Sequence, residues 1–238
     1  RLWQKCVDLS LKEFGDIYEK LGVRIDSVKG ESYYEDKLAS VVSELKEKKL
    51  LTKSKGADIV DLWELPPALI QKSDGATLYL TRDLAALKYR IEEYSPDKII
   101  YHVGNDQALH FKQLRAVALK LGWLDKTEIF FAAHGLLRLP EGKMSTRKGR
   151  TVPLRELINE AEKRSIEIID KKNPELDNKA GVAHKLGVAA IKYSDLSQNR
   201  KSDVVFSFDK SVAMEGNSGP YLLYTYARIN SLIGNFEK

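Results

Sequence analysis

Lys98-Ile99-Ile100-Tyr101-His102-Val103-Gly104-Asn105-Asp106-Gln107 is the stretch on which the fold turns. Its first six residues read as a strand of the buried type, and Gly104-Asn105-Asp106 turns the chain. A helical period stands on either side. Upstream, Leu84, Leu87 and Ile91 share one face between about Arg82 and Tyr94, and Pro96-Asp97 breaks that helix. Downstream, Phe111, Leu114, Ala118 and Leu121 point one way. Leu78-Tyr79-Leu80 reads as a strand end before the first helix, and Glu128 to Leu137 as a strand after the second. Strand, helix, strand, helix, strand predicts an α/β fold with a parallel sheet. Ligands of such sheets bind beyond the carboxyl ends of the strands.

Further out, the first twenty-odd residues are helical in pattern and end near Gly22, and Arg24-Ile25-Asp26 reads as extended. Leu38, Val41, Val42 and Leu45 recur at helical spacing between Tyr33 and Leu50. From Leu51 to Leu80, short apolar runs are cut by Pro66-Pro67 and Asp74-Gly75, which predicts short strands and turns. Towards the C-terminus three helical stripes follow: Leu154, Leu157, Ile158 and Ala161; Val182, Leu186, Ala190 and Tyr193; and Tyr221 to Ile233.

The 238 residues are 43% apolar, enough for one large domain or two smaller ones. No run of 18 apolar residues predicts a membrane span. The net charge of +5 suits contact with nucleic acid or nucleotides, although an ordinary lysine-rich surface has the same charge. Cys6 is the single cysteine, so no internal disulfide is expected, and a reducing cytoplasm fits. The chain opens on Arg1 rather than Met and is read as a piece of a longer protein. His102, His110, His134 and His184 lack metal-ligand spacing with cysteine or carboxylate partners, so no zinc site is expected.

Three polar residues fall where such a sheet places a site. Tyr79 is read at a strand end, Asp83 in the first turn of the next helix, and Gln107 at the opening of the helix after the next strand. A carboxylate flanked by a phenol and an amide is a receptor for a guanidinium, because it accepts both arms of the planar fork. Singly, Asp83 could answer a helix dipole and Gln107 could simply start a helix; the set says more than its members. His110 opens a helix and His134-Gly135 ends a strand near the same place. A histidine so placed more often satisfies a local hydrogen bond than performs catalysis.

Glu141-Gly142-Lys143-Met144-Ser145-Thr146-Arg147-Lys148-Gly149-Arg150 packs four cations, two glycines and two hydroxyl residues into one loop, which suits closure over a polyphosphate. Basic runs are more usually solvated surface. The loop is not a Walker A loop, since neither Ser nor Thr follows Gly142-Lys143 and Gly135 has the wrong spacing.

Several blocks resemble arginyl-tRNA synthetase, in order: Asp74-Gly75-Ala76, Leu78-Tyr79-Leu80-Thr81-Arg82-Asp83-Leu84-Ala85-Ala86, Gly104-Asn105-Asp106-Gln107 with His110-Phe111, and Lys143-Met144-Ser145-Thr146-Arg147-Lys148-Gly149. Gly30-Glu31-Ser32 with Tyr34, and Gly216-Asn217-Ser218-Gly219-Pro220-Tyr221 with Tyr224 and Arg228, are similar to the same family. The resemblance implies ATP-dependent activation of arginine and its transfer to the terminal adenosine of tRNA(Arg). It implies that Tyr79, Asp83 and Gln107 hold the arginine side chain. It implies that Lys143, Met144, Ser145, Arg147 and Lys148 act on the pyrophosphate leaving group, with Lys143, His134 and Gly135 at the ATP. ATP with Mg²⁺ is the implied cofactor, without zinc. Arg228 is a weaker candidate for tRNA contact, and Tyr221 and Tyr224 are expected in the core. The partners implied are tRNA(Arg), L-arginine and ATP, with no membrane; a cytoplasmic monomer is expected.

On the same grounds, residues 1–75 are expected to be a helix-rich segment and connecting region. Residues 76–153 would be the second half of a Rossmann-like nucleotide-binding domain, and 154–238 an all-α region, cut short, that leads into the anticodon-binding domain. The class I signature His-x-Gly-His is absent, so this piece alone is not expected to activate arginine. Thr146 stands where the class I loop carries its second lysine, leaving Arg147 or Lys148 to supply the charge. The rival readings are a non-catalytic paralogue that binds tRNA or arginine, another class I synthetase such as the cysteinyl enzyme, and an unrelated phosphate-binding enzyme.

Overall fold

The computed structural model describes residues 2–138 and 153–236, and the chain divides into two compact units. The first comprises residues 27–134. A 3₁₀ turn, Glu31–Lys37, runs into helix α2 (Leu38–Glu47), helix α1 (Leu2–Lys20) belonging to the other unit. Leu38, Val41, Val42 and Leu45 are all buried, as their spacing predicts. An antiparallel meander follows: β1 (Leu51–Ser54), β2 (Ala57–Leu62) and β3 (Leu65–Gln71). Pro66 and Pro67 sit on β3, at the edge of that sheet, where a missing N–H breaks no ladder.

Helix α3 spans Tyr79–Tyr94, so Leu78-Tyr79-Leu80 is not a strand end and the helix starts earlier than its sequence suggests. The cause is burial at helical spacing. Leu80, Leu84 and Leu87 all face the core, and the Thr81 hydroxyl donates to the Ile70 carbonyl at 2.6 Å, pinning the first turn to β3. Strand β4 (Lys98–Gly104) pairs in parallel with β5 (Glu128–His134), from Lys98↔Glu128 to Gly104↔His134. Helix α4 (Ala108–Leu121) makes the crossover. The strand β4 is not buried on both faces: Tyr101 is buried, whereas Ile100 is 61% exposed. Leu45, Ile70, Leu84, Leu87, Leu114 and Leu121 are fully buried, each stabilising this unit by about 1.5–3 kcal/mol relative to exposure.

The second unit comprises residues 1–26 and 135–238. Helix α1 (Leu2–Lys20) has no buried residue. Its polar contacts run from Arg155 to Glu13 (3.7 Å) and Asp16 (3.6 Å), and just past its end Lys192 donates to the Leu21 carbonyl (2.9 Å). The expected strand from Glu128 to Leu137 is broken after His134. Leu137–Arg138 forms a separate strand, β6, parallel to β7 (Val204–Val205), a partner 67 residues away that local pattern cannot reveal. Helices α5 (Leu154–Lys172) and α6 (Lys179–Leu196) pack through Leu157, Ile158 and Ala161 on one side and Ala183, Gly187 and Ala190 on the other. A short helix, α7 (Phe208–Ser211), precedes α8 (Gly219–Phe236). Tyr221 and Tyr224 are 38% and 47% exposed rather than core, because among the described side chains of α8 burial is confined to its start, Gly219 and Pro220. Among the described residues, no helix is long and apolar enough to cross a membrane.

Candidate functional site

Two helix starts meet in the 27–134 unit. Tyr79 is the first residue of α3 and Asp83 lies one turn on, so the two side chains share a face. Tyr79 is 68% exposed, and the Asp83 side chain is 39% exposed. Gln107 is the N-cap residue of α4, its side chain exposed and making no capping bond. His110, one turn on, places Nε2 at 2.6 Å from Asp83 Oδ2. The chain of neighbours therefore runs Tyr79, Asp83, His110, Gln107. Among the described residues, neither the Tyr79 hydroxyl nor the Gln107 amide has a hydrogen-bond partner. Each carboxylate oxygen accepts about two hydrogen bonds, so Asp83 keeps acceptor capacity beyond His110. An exposed phenol, an exposed amide and a carboxylate with capacity to spare are groups that can bond a planar cation.

The support beneath is aromatic. The His110 ring meets Phe111 edge to face at 5.2 Å, and Phe111 stacks on Phe131 at 5.3 Å. Tyr101 packs against Phe111 at 4.8 Å. Burial pushes the Tyr101 phenol above its ordinary range, against the pull of Arg90, whose Nη1 donates to its oxygen at 3.1 Å. Tyr101 therefore stays a neutral part of this wall.

The carboxyl ends of β4 and β5 carry a second feature. His102 and His134 stack with centroids 4.8 Å apart and planes 19° from parallel. Gly135 follows directly, and its want of a side chain has a local cause. A Cβ there would lie 2.1 Å from the Ser202 carbonyl oxygen, and the Gly135 N–H donates to the Arg200 carbonyl at 2.9 Å. Lys143, Met144, Ser145, Arg147 and Lys148 lie outside the described residues. Arg228 is exposed on α8. Among the described residues, no cluster of three His, Cys, Asp or Glu side chains is arranged to hold a metal.

His110 is the residue whose part sequence reasoning underrates. Its hydrogen bond is not local: the partner is 27 residues away, across two helices. The signal available was its place one turn after Gln107, on the helix face that a site there would use.

Residues 1–208 match the family described as "tRNA synthetases class I (R), catalytic domain". The chain belongs to the arginyl family of class I tRNA synthetases. Relatives in this arginyl family agree over the whole chain. The arginine–tRNA ligase of Clostridium botulinum (strain Alaska E43 / Type E3) is 46% identical over 238 residues, covering 99% of this chain and 42% of the relative. That of Clostridium acetobutylicum is 44% identical over 234 residues, covering 98% and 42%. The chain thus spans 42% of the length of these curated relatives. The crystal structure of arginyl-tRNA synthetase from Plasmodium falciparum superposes with a TM-score of 0.86 at 32% identity, over 97% of this chain and 40% of that one. The Thermus thermophilus arginyl-tRNA synthetase shares the fold, with a TM-score of 0.80 at 20% identity, over 92% of this chain and 44% of that one.

Proposed function

We propose that the chain supplies the arginine side-chain pocket and the phosphate loop of an arginine–tRNA ligase. One observation carries the reading. The half-exposed Asp83 carboxylate stands between Tyr79 and His110, with Gln107 one turn away, in a chain of the arginyl family. In this reading the arginine guanidinium bonds to Asp83, Tyr79 and Gln107, and the stacked imidazoles of His102 and His134 lie beside the ATP base. The arginine carboxylate attacks the α-phosphorus of ATP, which arrives with its Mg²⁺, and pyrophosphate leaves. A hydroxyl of the terminal adenosine of tRNA(Arg) then attacks the arginyl carbonyl and releases AMP.

No covalent enzyme intermediate forms, so catalysis rests on positioning and electrostatics. Lys143, Met144, Ser145, Arg147 and Lys148 are assigned to the departing pyrophosphate, where charge builds in the transition state. Gly135 is assigned to the ATP region and Arg228 to tRNA contact. Residues 76–153 are assigned to the second half of the nucleotide-binding domain, 154–238 to the approach to the anticodon-binding domain, and 1–75 to the segment that connects into it. The full-length protein is assigned to the cytoplasm, as a monomer.

The test is tRNA charging by the full-length protein with arginine, lysine and citrulline. Charging with arginine alone is expected. Citrulline keeps the length and shape of arginine but lacks the charge, so charging with citrulline at a comparable rate would remove the guanidinium receptor. Binding of tRNA or arginine without charging would turn the reading to a non-catalytic paralogue.

A further inference from the structure

We infer that His110 is a positioning residue for arginine selection: it holds one oxygen of Asp83 so that the carboxylate presents its remaining acceptor positions to the guanidinium. The inference rests on the arginine-pocket reading above and adds a residue to it.

Asp83 is half-exposed and sits on one helix, where its carboxylate could rotate about χ2 among several orientations. A bidentate contact with a guanidinium needs the plane of the carboxylate fixed. Within the described residues, His110 is the group that fixes it, through the 2.6 Å contact from Nε2 to Oδ2. A carboxylate offers only acceptors, so Nε2 carries the proton and donates.

The donor is itself held. His110 is in the first turn of α4, its side chain 26% exposed, and its ring rests edge-on against Phe111, which is 6% exposed. A chain of packed groups thus runs from the core through an imidazole to one carboxylate oxygen. Oδ1 and the second lone pair of Oδ2 remain for substrate. A side chain with a rigid backing and one committed donor is how proteins hold a binding group to its productive geometry.

A merely structural pair that joins α3 to α4 predicts something else. Its loss would lower stability, or would raise the KM values for arginine and ATP together. Loss of a positioning residue raises the arginine KM selectively and weakens discrimination against citrulline.

The experiment uses the full-length protein and compares His110→Phe, which keeps an aromatic ring without the donor, with His110→Gln, whose amide nitrogen reaches the place of Nε2. Charging by the unsubstituted protein first establishes the pocket reading; if arginine is not charged, that reading falls and this inference falls with it. Given charging, His110→Phe is expected to raise the arginine KM by about 10–100-fold, the worth of a hydrogen bond to a charged group. The ATP KM and the melting temperature should change little. His110→Gln is expected to return the arginine KM to within about threefold. An unchanged arginine KM in His110→Phe overturns the inference. So does a parallel rise in both KM values, or failure of a folded His110→Gln to rescue. Should His110→Phe not fold, His110→Asn, too short to reach Asp83, takes its place with the same expectations.

Discussion

The 27–134 unit has two contrasting ends. Where α3 and α4 finish, polar groups are matched inside the chain. The Lys29 ammonium donates to Tyr94 at 2.9 Å and to Ser27 at 3.0 Å, and lies 5.5 Å from the centre of the Tyr89 ring. Tyr33 and Tyr89 join their hydroxyls at 3.2 Å. Glu44 accepts from Lys88 and from the Trp123 indole, both at 2.8 Å, and Lys48 donates to the Leu121 carbonyl at the end of α4. Where the same helices begin, Tyr79 and Gln107 have no partner among the described residues, and Asp83 is only partly engaged. The first end is satisfied from within the chain, whereas the second leaves a carboxylate, a phenol and an amide open, and it is this open end that the proposed arginine pocket uses.

The sharpest attempt to break this contrast is Asp83→Asn in the full-length protein. It keeps the shape and removes the charge, so kcat/KM for arginine should fall by roughly 100-fold or more, as expected when one partner of a close charge pair is lost. The melting temperature should stay within a few degrees, and near-normal kcat/KM would place the pocket elsewhere.

At the saturated end, Glu44→Gln should do the reverse, with about 1–3 kcal/mol less stability in a denaturant titration and unchanged arginine kinetics. This effect should depend on pH. Burial raises the Glu44 carboxyl, but the hydrogen bonds from Lys88 and Trp123 and the nearby lysine charges outweigh it, so the folded value lies below the ordinary 4.5. The stability from its ionisation is present above 4.5 and is lost as pH falls through the lowered folded value. The gap between Glu44→Gln and the unsubstituted protein should therefore shrink in acid. A gap constant with pH would show that charge is not the cause.

Tyr79→Phe is a milder probe of the open end. About tenfold in arginine KM is expected from one lost hydrogen bond to a cation, with stability unchanged because the hydroxyl bonds nothing in the described chain.

The smallest effect is spectroscopic. Hydrogen bonding with Tyr33 pushes Tyr89 up to about 12, while the Lys29 hydrogen bond holds Tyr94 below its ordinary value. An alkaline titration of tyrosinate absorbance should find Tyr94 among the first phenols to ionise. Lys29→Met should move that early step towards the ordinary phenol range near 10. If the step stays put, the ammonium is not what sets it.

Much of this unit can be read from sequence where burial is periodic. Val41, Val42 and Leu45 on α2, and Phe111, Leu114, Ala118 and Leu121 on α4, follow the helical repeat and are buried accordingly. Leu78-Tyr79-Leu80 misleads because alternating bulky residues imitate a strand. Only the burial of Leu80 with Leu84, and the Thr81 bond to Ile70, decide for helix, and both depend on partners distant in sequence. Tyr79, Asp83 and Gln107 are recognisable by residue type. The Asp83–His110 contact is not, since it needs two helix starts to face each other. The β6–β7 pairing is hidden in the same way.

The discontinuity of the second unit has a consequence for biosynthesis. The side chain of Lys20, at the end of α1, lies 3.4 Å from Asn159, which is 139 residues later in the chain. At about 5–20 residues per second, translation leaves that helix waiting roughly 7–30 s for its partner. In that interval the intervening unit, residues 27–134, emerges whole. Its own core can close before residue 159 of the second unit has been made.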